Sequence, residues 1–311
     1  MTARAPRPLG LADVLSLGAI GFIVLAGAYS TLASTPQAPD ATVYLEGGRR
    51  LNAGLSIYDP HVFEMQYPPL VAVVWRLPAA LPGNVGLAVG WAADICATMA
   101  LVGFLLSRRS VTISAVVLLL AMPIGFELAL ANINGILALG CAVVWRYRDR
   151  WWAGAVLATI ASLKLAPLVL VAWLLGQRCW AALAGFATAA VGCLLIVVVG
   201  AGAQSIPDYI AVIPQQHPFG QSVAAVLGIP FLPYLGMGAA ALLALVLYRR
   251  AALVFAIACA SMVLGSLGFT IDWLVLLLPA VAALSDRGTA SPWMETAPEP
   301  APESEVQHQR H

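Results

Sequence analysis

Apolar residues fill long stretches of this chain, separated by short polar turns: 11–33, 83–106, 111–123, 132–146, 151–164, 167–177, 181–203, 222–247, 251–268 and 272–285. A membrane-spanning helix needs ~20 consecutive apolar residues, fewer where it is bent. The pattern predicts an all-α, polytopic transmembrane helical bundle of about ten spans, within a range of 8–12. The four runs between 111 and 177 are short, and read either as full spans or as half-buried pairs around a polar cavity. The opening MTARAPRPLG resembles the start of a signal peptide, but the run after it is long enough to span and more spans follow, which predicts an uncleaved first helix. Two segments break the apolar pattern. One is a long first loop, 34–82; the other is the tail 286–311, whose TAPEPAPESE stretch predicts disorder. Residues 1–285 then form a single transmembrane domain.

The first loop has elements of its own. Thr42 to Asn52 carries Val43, Leu45 and Leu51 among polar residues, which predicts a short helix along the membrane interface, ended by Gly54. Asp40 stands just before it. That Asp reads equally as an N-cap and as a general base held at the membrane surface. Tyr67-Pro68-Pro69 opens an apolar stretch from Leu70 to Leu81, with the prolines fixing a rigid entry into a helix.

Composition agrees with the hydropathy pattern. Of 311 residues, 61% are hydrophobic and 10% charged, with too little charge to cover a soluble domain of this size. A net charge of +1 gives no pull toward nucleic acid. The five cysteines, Cys96, Cys141, Cys179, Cys193 and Cys259, have no ligand spacing and read as small buried hydrophobes; no metal cluster is present in the pattern. Charge placement adds orientation. Basic residues near span ends stay in the cytoplasm. Arg4/Arg7, Arg108/Arg109, Arg146/Arg148/Arg150, Arg178, Arg249/Arg250 and Arg287 fall on alternate turns. This predicts an inner-membrane protein with both termini cytoplasmic. Asp40, Asp59, Glu127, Lys164, Asp208, His217 and Asp272 then gather on the outer face, as an enzyme working there would place them. Lys164 is the only lysine, against fifteen arginines.

The order Asp40, Tyr44, Leu51-Asn52-Ala53-Gly54, Ile57-Tyr58-Asp59 and Tyr67-Pro68-Pro69-Leu70 resembles the start of glycosyltransferase family 87. The likeness continues through Asn132-Ile133-Asn134-Gly135, Leu163-Lys164-Leu165-Ala166-Pro167 and Gly176-Gln177-Arg178, and in part Gln221-Ser222. The resemblance covers nearly the whole chain, with the specificity in the order of the motifs. It implies a GT-C type membrane enzyme of cell-envelope biosynthesis that uses polyprenyl-phosphate sugars, often mannose, without a metal or other cofactor. One departure stands at the last outer turn. The family usually carries Trp and His there, and this chain has Asp272-Trp273.

The chemistry this implies needs a base for the acceptor hydroxyl, stabilisation of an oxocarbenium-like transition state and a cation for the departing lipid phosphate. By the resemblance the base is Asp40, and attack opposite the phosphate would invert the anomeric centre. Lys164 is the first choice of cation, with Arg49 and Arg50 as alternatives; a lysine at a helix end can also simply snorkel. Tyr44, Asp59, Tyr67, Glu127, Asn132, Asn134, Gln221 and Asp272 are candidate sugar or acceptor contacts. The partners implied are a polyprenyl-phosphate sugar, a glycolipid or lipoglycan acceptor and membrane lipid. Two other readings stay open: a flippase of lipid-linked saccharides, for which only Asp94 sits mid-span, and an inactive family member acting as a scaffold, for which the missing histidines speak.

Overall fold

The computed structural model describes residues 39–59, 63–108, 110–218, 220, 222–268 and 270–286, with Leu11 and Gly18 ahead of them. The expected first span 11–33, the tail beyond Asp286 and Gln221 lie outside the described residues. Within them the chain is helical, as its apolar runs predict. The one exception is a small hairpin, β1 (Tyr58–Asp59) and β2 (Phe63–Glu64), paired antiparallel inside the first loop.

The loop begins with α1 (Pro39–Asn52). This helix starts earlier than its apolar pattern suggested, so Asp40 lies in its first turn rather than before it. Its buried stripe is Ala41, Tyr44, Leu45 and Gly48, an i, i+3, i+4, i+7 spacing. That stripe meets protein, namely α2 (Pro69–Ala79). A Cβ on Gly48 would sit 2.4 Å from the Trp75 carbonyl oxygen, so glycine lets the two helices touch. Gly54, at φ +71°, turns the chain away after α1 as expected. Pro69 occupies the first position of α2, with Pro68 extended before it.

Among the described residues nine α-helices follow first: α3 (Val85–Leu106), α4 (Val111–Leu119), α5 (Ala121–Leu130), α6 (Asn134–Tyr147), α7 (Trp151–Leu163), α8 (Val169–Gly176), α9 (Trp180–Ala201), α10 (Ser205–Val212) and α11 (Val223–Leu227). Then come α12 (Leu232–Val246), α13 (Ala251–Leu264), α14 (Thr270–Trp273) and α15 (Leu278–Ser285). Among the described residues only α3 and α9, each 22 residues, are long and apolar enough to cross a membrane alone; α4 and α5, bent by 47° at their break, make a third as a pair. The other apolar helices are shorter. At 1.5 Å per residue the 14 residues of α6 reach only ~21 Å, against ~30 Å of hydrocarbon. The short runs between 111 and 177 thus form helices each shorter than a full crossing, and the turn that carries Asn132 and Asn134 is buried in protein. Such turns are tolerable at membrane depth only where protein buries them.

Two of the three apolar clusters among the described residues do most to hold the bundle. In the larger, Trp145, Trp173 and Phe255 stack with ring centroids 5.0–5.6 Å apart, joining α6, α8 and α13. The smaller surrounds Tyr44 and ties α1 and α2 to the α5–α6 turn. The crossing of α7 with α9 is made by small residues. A Cβ on Gly154 would fall 1.7 Å from the Ala182 carbonyl oxygen, and one on Gly185 1.8 Å from that of Trp151. Of the five cysteines, Cys141, Cys179, Cys193 and Cys259 are buried, whereas Cys96 points out of α3. An outward face on a long apolar helix suits a small apolar side chain as well as a core does.

Candidate active site

The break between α7 and the short 3-10 turn Ala166–Leu168 places the lone lysine. Pro167 lies in that turn and cannot continue α7 as regular helix. Lys164 takes an extended conformation at φ −144°, ψ 134°, just past the end of α7. Its side chain does not snorkel: the residue is only 5% exposed. The ammonium donates to Asn132 Oδ1 at 3.0 Å and Asn134 Oδ1 at 2.8 Å. It also lies over two aromatic rings, 4.4 Å from the Trp273 centroid and 5.4 Å from that of Tyr67. Two amide oxygens and two ring faces offset the large cost of burying an ammonium.

Asn132 and Asn134 are aimed by the turn between α5 and α6. Ala131 holds φ 51°, ψ 43° at the end of α5. This left-handed conformation costs an alanine about 1–2 kcal/mol. Glu127, on α5, is buried and serves the start of α6: its carboxylate accepts from the Asn134 N–H at 2.7 Å and the Gly135 N–H at 3.3 Å. It also accepts from Asn134 Nδ2 at 3.0 Å. Asp94 on α3 accepts from the Ile136 N–H at 3.3 Å. Two carboxylates thus satisfy the first amides of α6 from neighbouring helices, the task an N-cap ordinarily performs. Asp272, from α14, accepts from Asn132 Nδ2 at 3.0 Å and Asn134 Nδ2 at 3.1 Å through Oδ2. Its other oxygen is buried without a partner.

Asp40 faces the same place from α1. The Tyr67 hydroxyl donates to Asp40 Oδ1 at 2.7 Å. Burial first, then the charge of Asp40, pushes the Tyr67 phenol well above its usual range, so it stays protonated and keeps that bond. Tyr67 therefore touches both ends of the site, its hydroxyl on the carboxylate and its ring under the ammonium. Tyr44 lies fully buried behind them, with its hydroxyl on Asn132 Oδ1 at 2.8 Å.

Asp40, Tyr67, Asn132, Lys164, Asp272 and Trp273 all line one cavity of about 350 Å³, within the usual range of ligand sites. Leu130, Leu165, Pro233, Met237 and Leu267 form an apolar side to it. Glu127, Asn134 and Tyr44 support it from behind. The remaining candidates stand elsewhere. Arg49 is exposed and pairs with Glu46 at 3.9 Å on its own helix. Arg50 is buried, and its Nε donates to the Ser56 carbonyl at 2.6 Å, which fixes the turn after α1. Asp59 lies in β1, away from the cavity. Other lining residues carried no sequence signal: Tyr209 and Tyr234 are lone aromatics in apolar stretches, and Gln216 closes the rim by donating to the Gln66 carbonyl at 2.9 Å. Among the described residues no group of three His, Cys, Asp or Glu side chains is placed to hold a metal ion.

A cavity with one cation, carboxylates on two sides and an apolar side suits a ligand with an anionic group, hydroxyls and a hydrocarbon stem. Comparisons with known proteins point the same way. Among curated proteins, the chain is 28% identical over 283 residues to a polyprenol-phosphate-mannose-dependent alpha-(1-2)-phosphatidylinositol pentamannoside mannosyltransferase of Mycolicibacterium smegmatis. That match covers 76% of this chain and 67% of the relative. No solved structure matches it significantly. The sequence model of glycosyltransferase family 87 matches residues 66–287, a stretch that carries Tyr67, Asn132, Lys164 and Asp272, and the chain belongs to that family.

Proposed function

We propose that this cavity is where a hexose, mannose by preference, passes from a polyprenyl phosphate to a hydroxyl of a lipid-linked glycan, with inversion. The observation that carries the reading is the placement of Asp40 and Lys164, one carboxylate and one buried ammonium, on a single cavity with Tyr67 between them. Asp40 takes the proton of the acceptor hydroxyl. The acceptor oxygen attacks the anomeric carbon as the bond from that carbon to the phosphate oxygen breaks. The electron pair leaves with the polyprenyl phosphate, whose charge Lys164 neutralises. Asn132 and the unpartnered oxygen of Asp272 take sugar hydroxyls, and the apolar side receives the first isoprene units. Arg49 and Arg50, outside the cavity, serve the first loop and the lipid headgroups instead. The donor brings its own leaving group, so the step needs only a base and a cation.

The mycobacterial relative supports mannose as the sugar and a phosphatidylinositol mannoside as the kind of acceptor. The arginine alternation supports about ten crossings in the plasma membrane, both termini cytoplasmic and the cavity outside. Asp272 supports activity over a scaffold role. Standing where the family usually has histidine, it completes the Asn132–Asn134–Lys164 network.

Membranes holding the protein, given polyprenyl-phospho-mannose or polyprenyl-phospho-arabinose with a phosphatidylinositol mannoside, should transfer mannose. Transfer of arabinose alone would replace the sugar in this reading. Movement of labelled donor between leaflets without a new glycosidic bond would replace transfer by flipping.

A further inference from the structure

Helix α10 and the 3-10 turn after it, Ile213–Gln215, form one wall of the cavity. Tyr209, Ile213 and Gln216 line it, an i, i+4, i+7 spacing that keeps three side chains on one side. Three contacts set this wall beside the base. The Tyr209 ring packs on Tyr58, with centroids 5.8 Å apart. The Tyr58 hydroxyl donates to the Tyr67 carbonyl at 2.7 Å, and Gln216 Nε2 donates to the Gln66 carbonyl at 2.9 Å. Tyr67 thus meets the wall through its backbone and Asp40 through its hydroxyl.

The chemistry of this wall differs from that around Lys164. Lys164 is the only lysine or arginine among the residues lining the cavity. Its partners are Asn132, Asn134 and the rings of Tyr67 and Trp273, none of them on α10. An anionic phosphate is drawn to Lys164 and finds no charge on α10. The wall instead offers a phenol hydroxyl, an amide and the apolar surfaces of the Tyr209 ring and Ile213. Burial first, then the nearby Tyr234, pushes the Tyr209 phenol above its usual range, so it stays a neutral hydroxyl that both donates and accepts. The Gln216 amide has a second N–H and a carbonyl oxygen besides the N–H that meets Gln66. This set matches a neutral sugar, with hydroxyls at its edge and C–H groups on its face.

We infer that Tyr209 and Gln216 form the acceptor subsite, holding the sugar whose hydroxyl Asp40 deprotonates, while the donor phosphate lies toward Lys164. The inference rests on the reading of the cavity as the transfer site. Both residues bind substrate without making or breaking a bond. They therefore set the acceptor KM and leave kcat and the donor KM alone.

The test compares wild type with Tyr209→Phe, which keeps the ring on Tyr58 and removes the hydroxyl, and with Gln216→Met, which keeps the length and removes the amide. The donor is polyprenyl-phospho-mannose and the acceptor a phosphatidylinositol mannoside. Each variant should raise the acceptor KM about three- to tenfold, as for the loss of one hydrogen bond, with kcat, donor KM and melting temperature unchanged. A purely structural role would move both KM values or the melting temperature. Equal rises for donor and acceptor, or no rise for the acceptor, would overturn the subsite. If wild type transfers no mannose at all, the transfer reading has failed, and the subsite is read by saturation-transfer NMR of methyl mannoside on purified protein. Contacts in wild type that weaken in Tyr209→Phe support it; contacts that are absent or unchanged by the substitution refute it.

Discussion

Lys164 is the residue on which the site turns, and its surroundings set what replacing it should do. Lys164→Met fills the space without the charge. Asn132 Oδ1 keeps the Tyr44 hydroxyl and the Ile133 N–H at 2.8 Å each, but Asn134 Oδ1 is left buried without the ammonium, so stability should fall by about 1–3 kcal/mol. Transfer should fall by roughly 10² or more, as on removing one preorganised charge from a transition state. Steady-state rates with a thermal melt separate the two. Lys164→Arg should not restore activity, because a planar fork does not fit between two amide oxygens and two ring faces. Tyr67→Phe keeps the ring and removes the bond to Asp40. It should lower kcat roughly 10-fold or more, a hydrogen bond to a charged group contributing ~1.5–3 kcal/mol, while Tm moves little. Lys164 was legible in the sequence because it is the only lysine and ends a span. Tyr67 was legible only as part of a motif. That its ring supports the ammonium while its hydroxyl holds Asp40 depends on orientation, which spacing does not carry.

Among the elements, α6 matters most to the site, because its first turn holds Asn134 and its first amides are satisfied by carboxylates of other helices. Gly135 is what allows this. A Cβ there would lie 1.9 Å from Thr98 Oγ1 and 2.6 Å from Asp94 Oδ1. Gly135→Ala should therefore push α6 away from α3 and cost about 1–3 kcal/mol, the usual range for overfilling a packed interior. Activity should fall with it, read by melting temperature and transfer rate together. The sequence showed the short runs of 111–177 and allowed that they flank a polar cavity. It did not show that Glu127 accepts from the first amides of α6, since spacing alone does not say which backbone a carboxylate meets. Asp40 gives the converse case. The helix that carries it begins earlier than its apolar residues indicate, because Tyr44 and Gly48, rather than Val43 and Leu51, form its buried stripe.

Across the whole molecule the polar groups divide between two ends of the bundle. Helix α6 runs from Asn134 in the site to Trp145, about 16 Å away at 1.5 Å per residue. There the Trp145 indole N–H donates to Asp286 at 2.9 Å, Asp286 pairs with Arg108, and the Arg148 guanidinium lies 4.9 Å over the Trp145 ring. Asp286 is thus anchored to the bundle. Asp286→Ala should leave a largely buried guanidinium unpaired and lower stability by ~1–3 kcal/mol, below the cost of breaking a fully buried pair. The arginine alternation predicts that this end faces the cytoplasm and the cavity the outside. In whole cells Arg49→Cys should react with a membrane-impermeant maleimide, and Arg148→Cys only after permeabilisation. The reverse labelling would invert the orientation.

The central claim is that Asp40 removes a proton from the acceptor in the cavity that Lys164 shares. Its most direct test is the rate of mannose transfer from polyprenyl-phospho-mannose to a phosphatidylinositol mannoside by Asp40→Asn. Asparagine keeps the shape and can still meet the Tyr67 hydroxyl, but it cannot take the proton. The account predicts a loss of roughly 10²–10⁴-fold, the range for general base catalysis, with the melting temperature and donor binding near wild type. Transfer at the wild-type rate by Asp40→Asn would contradict it.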